Sequence, residues 1–215
     1  MIKIGVIGCG KWSDTVINEI KKNKNFIFNA IVCRKEKHKY LKDDIYVYNN
    51  IKGLIDSNSC DSIYVAADPS ANFEILNLIK LSPVPIILEK PFSNSYKNAI
   101  KMQEIVLNNN FLILINLPNI YSECFKKIKQ IVNSNLENIT EIKIFEGGFG
   151  PFRNNINPIW DWGYHSFSIL VHLFGENTFS NIKLKELKKN KIYGNGIISK
   201  FEFNINKFTK YLFRM

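Results

Sequence analysis

The 215-residue chain carries 46% hydrophobic and 22% charged residues, the proportions of a folded globular protein with room for one large domain or two small ones. That balance excludes wholesale disorder and a fibrous repeat, and no apolar run reaches the ~18 residues of a membrane span. The net charge of +10 raises nucleic acid as a partner, but the lysines are dispersed, arginine occurs only at Arg34, Arg153 and Arg214, and no basic stripe interleaves with aromatics; the excess fits solubility or the steering of small anionic ligands.

The chain opens on a β-rich run, Ile2–Ile7, that enters a glycine turn directly. Without the charged, apolar and cleavage regions of a secretion signal, the expected compartment is the cytoplasm. Cys9, Cys33, Cys60 and Cys124 are scattered with no Cys-x-x-Cys pair, which predicts reduced thiols and neither a disulfide framework nor a zinc site. Further strands are expected at Phe28–Cys33, Ser62–Ala66, Ile86–Glu89 and Leu112–Ile115, alternating with helices at Asp14–Lys22, Asn72–Leu81 and Tyr96–Leu107. Unbroken apolar runs such as Phe-Leu-Ile-Leu-Ile-Asn suit a parallel sheet buried on both faces, so residues 1–118 are expected to form an α/β, doubly wound Rossmann domain. Beyond it a helix at Ser122–Asn133, a strand at Thr140–Glu146, a loop rich in Gly, Asn and Pro, a helix at Trp162–Phe174 and runs at Ile182–Leu187 and Ile197–Ile205 follow. In the last run Ser199, Phe201, Phe203 and Ile205 alternate with Lys200, Glu202 and Asn204, the pattern of a strand buried on one side. Residues 119–215 are therefore expected to form a smaller α+β domain with a mainly antiparallel sheet.

The turn after the first strand reads Gly8-Cys9-Gly10-Lys11-Trp12-Ser13. Glycine is needed there because the turn is tight and because a Cβ would keep the backbone from a dinucleotide pyrophosphate at the positive end of the next helix. Gly8, Gly10, Lys11 and Trp12 are expected cofactor contacts, joined by Ala67 and Pro69 in the turn after the strand Ser62–Ala66. The second strand ends with Arg34 and Lys35 where an acid would meet a free ribose hydroxyl, and two cations suit a 2′-phosphate. The expectation is NADP in preference to NAD; the alternative has both cations solvated and Glu36 bonding the ribose.

Glu89, Lys90 and Pro91 stand at the end of an apolar strand, and in open α/β sheets ligands gather at the carboxyl ends of the strands. Pro91 keeps Lys90 extended. A lysine ammonium there can hydrogen-bond a substrate oxygen beside a nicotinamide; it can equally be a terminal lysine paired with Glu89. Taken in order, Gly8-x-Gly10, Glu89-Lys90-Pro91 and the stretch Asp161-Trp162-Gly163-Tyr164-His165 resemble the glucose–fructose oxidoreductase / inositol dehydrogenase family (Gfo/Idh/MocA) over nearly the whole chain. The resemblance implies a dehydrogenase that moves a hydride between nicotinamide and a sugar, polyol or nucleotide-linked sugar. His165 would act as general base or acid, Lys90 would polarise the oxygen, Asp161 would be an orienting or substrate-binding group, and Glu89 and Lys90 would join the cofactor site. Asp161 and His165, four apart, share a face if one helix carries both. A metal is not expected, since His172 lies a further ~10 Å of helical rise along.

The chain departs from the family pattern at three positions: Asn72 replaces a histidine, Ser168 an aspartate, and Asn119-Ile120-Tyr121 stands where a His-Leu-Phe stretch is usual. The resemblance also implies further strands beyond the end of this sequence, so the second domain is expected to be incomplete; a second copy of the chain covering its sheet and a shortened, inactive product fit this equally well.

Overall fold

The computed structural model describes residues 1–34, 40, 44–81, 84–110, 112–139, 141–146, 158–161, 163–175, 182–192 and 196–206. Its contacts divide the chain into two units, Met1–Asn116 and Leu117–Met215.

The first unit is built on six strands, β1 Ile2–Ile7, β2 Phe26–Val32, β3 Tyr46–Tyr48, β4 Ser62–Val65, β5 Ile86–Glu89 and β6 Ile113–Asn116, all paired in parallel in the order β3-β2-β1-β4-β5-β6. Helices α1 Lys11–Lys22, α2 Ile51–Asp56, α3 Asn72–Ile79 and α4 Tyr96–Asn109 lie between them. The period of two along each strand divides the apolar residues between the faces. Ile4, Val6, Phe28, Ile31 and Tyr64 meet Ile17 and Ile20 of α1 on one side. Ile7, Ile63, Val65, Ile86 and Leu88 meet Leu54 of α2, Ile75, Leu76 and Ile79 of α3 and Met102 of α4 on the other. Burying each such side chain contributes about 1.5–3 kcal/mol, so both faces of the central strands are fixed by packing.

Two elements carry no expectation from sequence. The three residues of β3 are too few to show a period, and α2 holds Gly53 in its interior. Pairing along Ala30–Val32 supplies what propensity does not for β3, and a local cap, Asn50 accepting from the Gly53 amide at 2.8 Å, starts α2. The second strand begins two residues earlier than expected because Ile2 and Lys3 pair with Phe26 and Ile27. The sixth is displaced towards Asn116, which pairs with Glu89.

In the second unit a 3-10 turn, Pro118–Tyr121, precedes α5 Glu123–Asn135, capped by Ser122 accepting from the Phe125 amide at 3.1 Å. There follow β7 Glu141–Glu146, α6 Pro158–Asp161, α7 Gly163–Phe174, β8 Ile182–Ile192 and β9 Gly196–Asn206, with an antiparallel sheet in the order β7-β9-β8. Both hairpin strands run further than their apolar runs, because ladder pairing from Ile182–Ile205 to Ile192–Gly196 carries the lysine-rich stretch 188–192 with it. Thr140 and Trp162, expected to open a strand and a helix, lie outside the described residues. Among the described residues no helix is long and apolar enough to cross a membrane.

Candidate functional site

All six strands of the first sheet run the same way, so the residues that follow them gather at one edge. The strand order reverses between β1 and β4, where Gly8 leaves β1 beside Ala66 and Ala67 leaving β4. The two glycines of the turn meet different demands. Gly8 has φ +113°, and a Cβ there would fall 2.5 Å from the Ala66 carbonyl oxygen and 2.9 Å from its carbon, both backbone atoms. Only glycine fits. At Gly10 a Cβ would meet nothing within 4 Å, so nothing in the surrounding structure demands glycine.

Gly10 is also the N-cap of α1, and no side chain caps that helix. Helices α2, α4 and α5 and the 3-10 turn Pro69–Ala71 are capped by Asn50, Ser95, Ser122 and Asp68 respectively. The first turn of α1 thus offers amide donors and the positive end of its dipole to open space, an arrangement that accepts a phosphate. Ser13, at the third position of the motif, is fully buried, as a small residue seating a helix against a strand must be. These residues fit a dinucleotide pyrophosphate. Lys11 and Trp12 lie exposed on the same first turn, Ala67 and Pro69 are half-buried after β4, and Arg34 is exposed beyond β2. Lys35 lies outside the described residues.

At the end of β5 the Glu89 carboxylate accepts from the Tyr64 hydroxyl of β4 and from Asn116 Nδ2 of β6, the latter at 2.7 Å. Asn116 Nδ2 also lies 2.8 Å from the Tyr64 oxygen, closing a triangle across three strands. Lys90 comes next, half-buried, followed by a cis peptide to Pro91. On the other side of this turn Asn72, 2% exposed, donates from Nδ2 to the carbonyls of Pro91 and Phe92 at 3.3 and 3.2 Å.

Burial first, then the hydrogen bond and charge of Glu89, push the Tyr64 phenol well above the ordinary tyrosine value; Asn116 and Trp12 act in the opposite sense. Tyr40 is raised likewise, by burial and by Asp14, whose Oδ1 accepts from its hydroxyl at 3.0 Å. A phenol whose folded pKa lies above its unfolded value of ~10 lends its full stabilisation below pH ~10 and loses it as pH climbs from there through the folded-state value. The denaturation midpoint is therefore expected to fall steeply from about pH 10 upward, and less steeply in the double variant Tyr40→Phe/Tyr64→Phe. Equal slopes for the two proteins would refute the assignment.

The remaining sequence-derived candidates belong to the second unit. Asp161 is the last residue of α6 and His165 the third of α7, both half-buried. Trp162, between them, lies outside the described residues. Ser168 donates from Oγ to the His165 carbonyl at 2.7 Å, so its hydroxyl serves the helix backbone. His172 Nδ1 lies 2.7 Å from the Ser168 carbonyl, and its ring sits edge-on to Phe125, a packing role. Among the described residues no three His, Cys, Asp or Glu side chains gather in a way that could hold a metal.

The first unit therefore brings Gly8, Gly10, Lys11, Trp12, Arg34, Ala67, Pro69, Glu89 and Lys90 to one edge of its sheet. Sequence reasoning did not assign Tyr64, Asn116 or the hold of Asn72. A signal existed for the first two: each is a polar side chain at or near the end of an apolar strand, where a buried hydrogen bond must be supplied.

No curated protein matches the sequence. Among solved structures of similar fold are a protein of Magnetospirillum magnetotacticum MS-1 assigned to the oxidoreductases (TM-score 0.78, 16% identity, 96% of this chain and 67% of that one), and scyllo-inositol dehydrogenase of Lactobacillus casei with bound NAD(H) and scyllo-inositol (TM-score 0.76, 12% identity, 88% and 60%). A Thermotoga maritima protein assigned as a dehydrogenase is similar too (TM-score 0.74, 18% identity, 86% and 58%). The chain thus spans roughly three fifths to two thirds of their lengths. The sequence profile of the oxidoreductase family with NAD-binding Rossmann fold matches residues 2–116, more than half of the 215 residues. With the glycine turn, the strand order and this match in agreement, the chain belongs to the Gfo/Idh/MocA oxidoreductase family.

Proposed function

We propose that the protein is a nicotinamide-dependent dehydrogenase or reductase acting on a sugar, polyol or nucleotide-linked sugar. The observation that carries the reading is the uncapped N-terminus of α1 behind Gly10, open to solvent at the point where the strand order reverses and on the same sheet edge as Lys90. A nicotinamide dinucleotide held with its pyrophosphate there would supply the hydride acceptor or donor. The chain's own residues do the rest: the α1 amides hold the pyrophosphate, Lys90 hydrogen-bonds the reacting oxygen, His165 takes its proton on oxidation or returns it on reduction, and Asp161 orients the substrate. For an alcohol the balance is one hydride to the cofactor and one proton to His165, leaving a carbonyl. Arg34 and Lys35 favour a 2′-phosphate, hence NADP, and the antiparallel sheet of the second unit is the proposed contact for a second copy.

Two observations favour a second reading, a nicotinamide-binding protein without turnover. The Asn72 amide is committed to backbone carbonyls and the Ser168 hydroxyl to that of His165, so neither position supplies an ionisable group.

Fluorescence titration of the purified protein with NADH and NADPH tests the premise common to both. Saturable binding of both is expected, tighter for NADPH, with Arg34→Ala/Lys35→Ala weakening NADPH by about tenfold or more and NADH little. Binding of neither would end both readings; equal loss for the two cofactors would remove the preference for NADP.

A further inference from the structure

We propose that Lys90 is aimed by a clamp with two jaws, Tyr64 and Asn116 gripping the Glu89 side chain on one face of the sheet and Asn72 gripping the Pro91 and Phe92 carbonyls on the other; this rests on the reading of Lys90 as the group that meets the substrate oxygen. A lysine ammonium sits on a flexible four-carbon stem, and its main chain at a strand end lacks the ladder that fixes strand interiors. Its direction depends on its neighbours. Glu89 shares its face with Ile87 and Tyr64, the α1 side, while Asn72 opens α3, whose apolar residues pack on the opposite side with Phe92.

The α1-side jaw is charge-assisted, because Tyr64 and Asn116 both donate to one carboxylate oxygen. An apolar trio at these positions would build the same sheet without desolvating a carboxylate, so stability alone does not call for it. What the trio does is pin the residue immediately before Lys90 to both neighbouring strands. The α3-side jaw pins the two residues after Pro91, in a turn where no strand provides donors. Tyr64, Asn116 and Asn72 are positioning residues.

Tyr64→Phe removes one hydroxyl and Asn72→Asp removes the two donor hydrogens, each at nearly constant volume. The readout is the rate at which acetic anhydride labels Lys90, followed by peptide mass spectrometry across pH, with and without NADH, alongside circular dichroism, NADH titration and turnover. Both variants are expected to remain folded and to bind NADH within about twofold of wild type. Protection of Lys90 by NADH should fall several-fold, and kcat by roughly 10²-fold with KM little changed, as misplacement of a catalytic group requires. Asn72→Gln, which keeps the donors, should restore part of the protection that Asn72→Asp loses. Should Tyr64→Phe fail to fold, Asn116→Ala reads the same jaw. Unaltered labelling of Lys90 in folded variants of both jaws would overturn the clamp, even with cofactor binding and turnover intact. A wild-type protein that binds no NADH would instead overturn the functional reading, while altered Lys90 labelling without cofactor would still support the clamp.

Discussion

Lys90→Ala is expected to lower turnover by about 10²–10⁴-fold, the contribution typical of a positioned proton-transfer or polarising group, while the thermal midpoint stays close to wild type. The side chain is half-buried at a strand end and outside both apolar clusters, so its loss opens no cavity in the core. Arginine should not rescue it, because a planar guanidinium places its donors on a different fork from a single ammonium and cannot give up its proton. On the proposed function, in which His165 exchanges the proton and makes no cofactor contact, His165→Ala should reduce turnover comparably and leave NADH affinity unchanged. Steady-state nicotinamide absorbance with a panel of inositols, hexoses and nucleotide-linked sugars checks both variants. Unchanged rates in Lys90→Ala would remove the lysine from the chemistry; no turnover by wild type on any of them, with NADH bound, would favour the non-catalytic reading.

The first sheet was legible because its signal is local. An apolar run buried on both faces can hardly be read otherwise, and β1, β4 and β5 appear within a residue of expectation. What escaped was fixed by partners distant in sequence. The Tyr46–Tyr48 strand exists because it pairs with Ala30–Val32, and the lysine-rich half of β8 because β9 runs alongside it. Neither has an apolar period of its own, so no window along the chain could reveal it.

The site divides along the same line. Glycines at a turn declare a backbone requirement through residue type, and Lys90 is marked by the proline that follows it. The clamp is invisible in this way: Tyr64 is 25 residues from Glu89 and Asn116 is 27 beyond it, and they meet only through the registers of β4 with β5 and β5 with β6. Glu89, which the family resemblance places in the cofactor site, has its carboxylate engaged by these two partners.

The two glycines of the turn should respond to alanine in opposite ways. Gly8→Ala places a methyl group against the Ala66 backbone at a φ of +113°, and that carbonyl cannot withdraw, because the Ala66 amide donates to Ile7 at 2.9 Å in the ladder that joins β1 to β4. The strain alone costs about 1–3 kcal/mol, a large share of a stability that is seldom more than 5–15 kcal/mol, so a drop of several degrees or more in the thermal midpoint is expected. Gly10→Ala meets neither obstacle: its φ of −84° is open to any residue, and its Cβ would stand in empty space. The midpoint should move by less than roughly the cost of a weak N-cap, about 1 kcal/mol. The space that the methyl group fills is, however, the approach to the α1 amides, so NADH affinity should fall at least about tenfold, or 1.4 kcal/mol. Gly8→Ala will weaken binding as well, but through loss of folded protein, and the two causes separate when affinity is compared with the unfolding curve of each variant. A Gly10→Ala protein that holds NADH as tightly as wild type would mean that the pyrophosphate does not rest on this turn, whatever the sequence motif implies.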